Sequence, residues 1–180
     1  MSWFDTSIMA RKGVAKGQAG ARHHISIEDQ GTFHYVYGPY AAPVLEVKPG
    51  AVLTEETHDA FEGKIGKDGV YWSDSLTLPY EPFIGTIGTA PEIEAISSLQ
   101  PDYYGGNMDV PDVKPGSIIY LPVNKEGGYL YLGDCHAIQG DGELCGVALE
   151  MPATVELQVG LIKGHGNGWP QLESAHAMGF

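Results

Sequence analysis

A mainly β protein, sandwich- or barrel-like with few short helices, is the fold class this sequence predicts. Three observations predict it. The 180 residues include 25 Gly and 12 Pro, yet only 18% are charged, which suits many tight turns better than long helices. Runs of β-branched and aromatic residues, such as Phe33-His34-Tyr35-Val36-Tyr37, lie between those Gly and Pro marks. The tally of such runs is about ten strands. The length suits one domain, and 43% hydrophobic residues are enough to bury a core.

Taken in order, residues 1–22 read as an irregular leader, because Gly13, Gly17 and Gly20 interrupt any helix. Residues 23–180 read as the single β-rich domain. Residues 23–37 open it as strand, with Ile25 and Ile27 alternating with polar neighbours. Two similar units follow, Val47-Lys48-Pro49-Gly50 and Val113-Lys114-Pro115-Gly116, each leading into an apolar strand. Pro then Gly fits the two central positions of a type II turn. Residues 81–91 read as a buried strand or close-packed loop, and residues 92–100 as one short helix. Tyr103 to Asp109 reads as a loop, since Gly105-Gly106-Asn107 disfavours regular structure. Residues 129–133 and 144–162 read as strands, and residues 163–170 as a Gly-rich loop.

The charge balance excludes some functions. Ten basic residues face 23 acidic ones, for a net charge of −13. A nucleic-acid binder needs a basic footprint, so nucleic acid is rejected as the main partner. Anionic membranes are disfavoured on the same ground, and no apolar run nears the roughly 20 residues of a spanning helix. The first residues lack the basic-then-apolar order of a secretory signal. Cys135 and Cys145 do not make a disulfide framework, so the expectation is reduced thiols in a cytoplasmic protein.

The densest chemistry lies in Asp134-Cys135-His136-Ala137-Ile138-Gln139-Gly140-Asp141-Gly142-Glu143, followed by Cys145 and Glu150. A Gly-Asp-Gly bend turns the chain tightly and can converge polar groups on one point. The alternative is a solvated hairpin tip.

Several stretches resemble the acetamidase/formamidase family. They are Pro82 to Pro91 (PFIGTIGTAP), Gly105 to Asp109 (GGNMD), Gly116 to Val123 (GSIIYLPV) and Gly133 to Glu150 (GDCHAIQGDGELCGVALE). Phe33-His34, Asp59 to Ile65, Leu161-Ile162-Lys163 and Trp169 to Glu173 resemble its outer motifs. The resemblance covers residues 31–175. It implies a β-rich, metal-containing, oligomeric hydrolase that converts short amides to acid and ammonia, without a cysteine nucleophile. Against the family pattern, a long segment between Ile65 and Tyr71 is nearly absent and the sequence stops at Phe180. The expectation is a compact variant forming a homo-oligomer. The alternatives are cleavage after Phe180 or a separately encoded C-terminal chain.

Amide hydrolysis needs an activated water, charge stabilisation and a proton for the leaving ammonia. His136 is the first metal-ligand candidate. Asp109 in its Gly-Gly-Asn loop is the second, and the resemblance adds His34 and Asp59. Zn²⁺ suits imidazole with carboxylates, while Ca²⁺ or Mg²⁺ would suit an all-oxygen set. Glu143, Glu150 and Asn107 are the catalytic candidates. Asn107 would hold the amide carbonyl or support its loop. Glu150, on an apolar stretch, is either buried with a partner or exposed at an edge. A two-residue hairpin at Asp141-Gly142 would set His136 opposite Val147 and leave Glu143 about 13 Å away at ~3.3 Å per residue, too far to share one metal; either the loop is irregular, or Glu143 is a proton shuttle or a contact to another subunit. Asp141 reads as a turn residue, and His23, His24, His58, His165 and His176 as surface or loop residues. The rival to a metal amidase is a non-catalytic β-module that binds a metal or small ligand, or an assembly subunit.

Overall fold

The computed structural model describes residues 15–16, 20–30, 36–40, 43–57, 69–175 and 177–179. Among these, strands dominate and the one helix, α1 (Ile27–Gln30), is a single turn. The strands are β1 (Ala15–Lys16), β2 (Arg22–Ile25), β3 (Val36–Tyr37), β4 (Leu45–Glu46), β5 (Val52–Thr57), β6 (Val70–Ser73), β7 (Leu76–Leu78), β8 (Phe83–Thr89), β9 (Ile96–Ser97), β10 (Gly105–Asn107), β11 (Ile118–Tyr120), β12 (Leu130–His136), β13 (Ala153–Gln158), β14 (Gln171–Glu173) and β15 (Met178–Gly179). They form six small sheets: β10-β8-β12, β13-β5-β2, β11-β14-β15, β1-β4, β3-β9 and β6-β7. None of these closes into a barrel.

The core lies where the sheets meet. Along β5, Leu53, Glu55 and Thr57 turn inward while their neighbours are half-buried. β13 pairs antiparallel with it, Val155 opposite Glu55 and Leu157 opposite Leu53. Val155 and Leu157 then pack on Ile87 of β8 and Leu132 of β12, joined by Ile119 of β11 and Leu172 of β14. Leu132 is completely buried, which stabilises the fold by about 1.5–3 kcal/mol. A second cluster, Val70, Cys135, Ala137 and Met151, lies under the far end of β12. A third is aromatic: the Tyr37 ring meets Tyr104 and Tyr131 at centroid distances of 5.7 and 5.2 Å.

The two Val-Lys-Pro-Gly units fold alike. Ala51 N donates to Lys48 O and Ser117 N to Lys114 O, each at 3.1 Å. Gly50 and Gly116 take φ of 90° and 92°, the left-handed value a type II turn needs at its third residue. The turns launch β5 and β11.

Several elements differ from expectation. Tyr103 to Asp109 is not all loop. Gly105 and Gly106, at φ of 89° and 97°, let β10 lie against β8 with Gly105 opposite Gly88. A Cβ on Gly88 would sit 2.6 Å from Gly106 N, so the glycines permit the strand instead of breaking it. Residues 92–100 form turns and the short β9, not a helix; β9 pairs with β3 instead. Ile27 opens α1 and does not extend a strand. Of residues 144–162 only β13 is strand. There are also more strands than expected, because the tally missed two-residue strands such as β1, which pairs parallel with β4.

Candidate functional site

β8 is the central strand of the sheet that carries the site. β12 runs antiparallel beside it, ending with Cys135 opposite Ile84 and His136 opposite Phe83. Phe83 meets the His136 ring edge-on at 4.9 Å. On the other side, Gly85 O accepts from the backbone N–H groups of Met108 and Asp109, at 3.1 and 3.0 Å. That pins the end of β10 to β8. A Cβ on Gly85 would lie 2.7 Å from Asp134 O, 2.8 Å from Asp109 Oδ1 and 2.9 Å from Asp134 Oδ2. The missing side chain is the space that two carboxylates share.

Both of those aspartates have left-handed backbone, Asp109 at φ 50° and Asp134 at φ 56°. Such a conformation costs roughly 1–3 kcal/mol in a non-glycine residue and persists only where the surroundings enforce it. Here it aims carboxylates from two strand ends at one imidazole.

His136 is wholly buried and is the hub. Its Nε2 lies 3.2 Å from Asp134 Oδ1 and 3.2 Å from Glu150 Oε2. Its Nδ1 lies 3.0 Å from Gln139 Oε1. Gln139 Nε2 in turn donates to Asp109 O at 2.8 Å and Gly140 O at 3.2 Å. Thr86 Oγ1 sits 3.2 Å from Asp134 Oδ2 and donates to Asn107 Oδ1.

Two donor triads share the ring. In Asp109–His136–Glu143 and in Asp134–His136–Glu150, one ligand atom from each residue lies within 4.8 Å of the others. The first triad opens toward the surface and the second is buried. Asp109 Oδ1 is buried and has no hydrogen-bond partner, which a buried acceptor tolerates only next to a donor or a cation. Imidazole nitrogen with carboxylate oxygens is a donor set that fits a divalent ion, zinc among them.

The electrostatics follow from crowding acids out of water. Burial, aided by the charges of Asp134 and Glu143, pushes the Asp109 carboxyl up to about 7. Burial raises Asp134 too, against the opposing hydrogen bond from His136. Burial also raises Glu143. For His136, burial disfavours the charged ring, but hydrogen bonds and charges from Asp134 and Glu150 outweigh it and hold the pKa at about 10. Cys135 is pushed up to about 12 by burial. A thiol so reluctant to ionise is a poor nucleophile.

The structure thus brings Asp109, His136, Glu143 and Glu150 together, with Asn107 linked to them through Thr86. Of the two arrangements open to this stretch, the irregular loop is the observed one and not the two-residue hairpin. His136 bridges to Glu150, not Val147, and Ala137 N donates to Leu149 O at 2.7 Å. Residues 139–149 form an irregular loop of bends and turns that returns Glu143 to the ring. Of the two readings of Glu150, burial with a partner is the observed one. His34, Asp59, His58 and His176 lie outside the described residues. His24 is exposed and meets Glu56 at 3.0 Å; His23 is instead half-buried, with its Nε2 shielded and unpartnered.

Sequence reasoning set Asp134 and Gln139 in the densest stretch of chemistry without giving either a role, and it gave none to Thr86 and Gly85. Asp134 carried a signal, standing two residues before His136 on the same strand, where side chains share a face. Thr86 and Gly85 lie in the PFIGTIGTAP stretch that carries the resemblance, but nothing there marks them individually.

Comparison with known proteins places these residues in context. Residues 90–175 match the profile of the Acetamidase/Formamidase family. A crystal structure of an acetamidase from Yersinia enterocolitica superposes with a TM-score of 0.77 at 33% identity, covering 94% of this chain and 75% of that one. An acetamidase of Mycolicibacterium smegmatis is 45% identical over 100 residues, 49% of this chain and 24% of that protein. A formamidase of Methylophilus methylotrophus is 43% identical over 72 residues, 39% of this chain and 17% of that protein. The matched stretches therefore span a quarter or less of these two relatives' own length.

Proposed function

This chain belongs to the acetamidase/formamidase family, and on that premise we propose that it hydrolyses a small neutral amide, formamide- or acetamide-like, to carboxylic acid and ammonia. The observation that carries the reading is the crowding of Asp109, Glu143, Asp134 and Glu150 around the single buried ring of His136. Asp109 and His136 would hold a divalent cation, zinc first, with Glu143 within reach of both. His34 and Asp59 are proposed as further ligands. When bound, such an ion supplies Lewis acidity toward the carbonyl and makes water acidic enough to attack near neutral pH.

The chain's own residues supply the rest. Glu143 is half-buried and its carboxyl is raised by that burial. It is suited to take a proton from the attacking water and return it to the departing nitrogen. Asn107, with its Oδ1 engaged by Thr86, keeps its amide N–H groups to orient the substrate carbonyl. Without a cation, Glu150 and Asp134 keep the His136 ring in place and balance its charge; with one, Nε2 would give up its proton to ligate. The crowd of acids favours neutral over anionic amides, because like charge is repelled at close range. Among the described residues no helix is long and apolar enough to cross a membrane. A homo-oligomer in the cytoplasm completes the proposal.

The test is ammonia release from formamide, acetamide and propionamide, before and after chelation and with zinc restored. We expect chelation to abolish release, zinc to restore it, and Glu143→Gln to lower kcat roughly 10²- to 10⁴-fold. No ammonia from any of the three by folded, zinc-loaded protein sinks the reading.

A further inference from the structure

We propose that Gln139 is a positioning residue that keeps a proton on Nδ1 of His136 and so reserves Nε2 for the carboxylates and for whatever they bind. The inference deepens the hydrolase reading and rests on it only in the kinetic part of its test.

Donors and acceptors fix which way the Gln139 amide lies. Asp109 O and Gly140 O are backbone carbonyls and can only accept. The end of the Gln139 amide that faces both, at 2.8 and 3.2 Å, must therefore be its NH₂. Turned over, the amide would set oxygen against two carbonyl oxygens. Its Oε1 then faces His136 Nδ1 at 3.0 Å. Oε1 has no proton to give, so Nδ1 must donate. Only Nε2 is left to lose a proton or to offer a lone pair, and it is the nitrogen that Asp134 and Glu150 flank. A ring whose second nitrogen is fixed by a hydrogen bond has its tautomer and tilt set, and with them the basicity of the first.

Gln139 also ties two parts of the site together. One side chain joins the ring at the end of β12 to the backbone of Asp109, the residue with the unpartnered buried oxygen. A loss at this position would be felt by the imidazole and by that carboxylate together.

The test uses ¹⁵N spectra of the histidine side chains in the full chain, free of divalent cations at neutral pH, with His136 assigned through its backbone. Wild type should show a slowly exchanging proton on Nδ1. Gln139→Glu keeps an acceptor opposite Nδ1 and should retain it, while its second oxygen meets the Asp109 and Gly140 carbonyls and should lower stability. Gln139→Leu removes the acceptor and should lose the protection. In ammonia release, Gln139→Leu should lower kcat roughly 10- to 100-fold with KM little changed, and Gln139→Glu should recover part of the loss. A wild-type spectrum with bare Nδ1 overturns the proposal even if the leucine variant does not fold. So does a leucine variant with the wild-type signal. Expected spectra without ammonia release would uphold the role of Gln139 and count against the hydrolase reading.

Discussion

Asp109 and His136 both hold protons more tightly in the folded chain than in the unfolded one. Asp109 rises to about 7 from about 3.9 unfolded, and His136 to about 10 from about 6.5. A raised pKa contributes stability that is complete below the unfolded value and lost as pH rises through the folded one. Both groups act in the same direction. In the cation-free chain, thermal unfolding should therefore occur at falling temperature as pH rises from about 6 to about 10, and Asp109→Asn should flatten the part below about 7. Calorimetry across that range checks it; a midpoint that rises throughout contradicts the assignment. Added zinc should reverse the trend, since a cation favours the unprotonated ligands. At this scale His136 and Asp109 were legible, because an imidazole among acids and an Asp after Gly-Gly-Asn stand out in any sequence. The position of Glu143 was not. Nothing in the letters decides between a regular hairpin and an irregular loop, and residues 139–149 bend irregularly. Nor do letters reveal a left-handed backbone at Asp134.

Among the elements, β8 sets the geometry of the site, and its glycines can be told apart by their surroundings. Gly85→Ala would drive a methyl into backbone and carboxylate atoms 2.7–2.9 Å away. It should cost about 1–3 kcal/mol of stability and abolish cation binding. Gly116→Ala meets nothing within 4 Å and strains only its φ of 92°. It should cost a comparable 1–2 kcal/mol or so while binding survives. Denaturant unfolding and zinc titration of the two variants separate the roles; equal binding by both would show that the space at Gly85 is irrelevant to the site. The strand at residues 81–91 was readable from its apolar run, and both Pro-Gly turns from their chemistry. β10 was not, because glycine pairs signal breaks unless a glycine on the neighbouring strand admits them, and that neighbour is Gly88, across the sheet.

For the whole molecule, 13 uncompensated negative charges repel one another. Moving from very low salt to about 0.15 M shortens the screening length from about 30 Å to about 8 Å. The midpoint of thermal unfolding should rise with simple monovalent salt, and a fall would mean that surface ion pairs such as Arg22–Glu156 outweigh the repulsion. The β-rich class was legible because composition and punctuation act over the whole chain. The division into six small sheets was not, since pairings such as β13 with β5 join residues far apart in sequence. The placement of the site on β8 also bears on how the chain folds. Its candidate ligands come from the ends of β10 and β12 and from the loop beyond, and Gly85 of β8 anchors the first of these. Pairings across such long separations form slowly, after most of the loop-closure entropy has been lost. A chain with β8 unpaired would not hold Asp109 in register with Asp134 and Glu143. Capture of a metal ion would then be among the last events of folding, and its rate after dilution from denaturant would time the closing of the sheet.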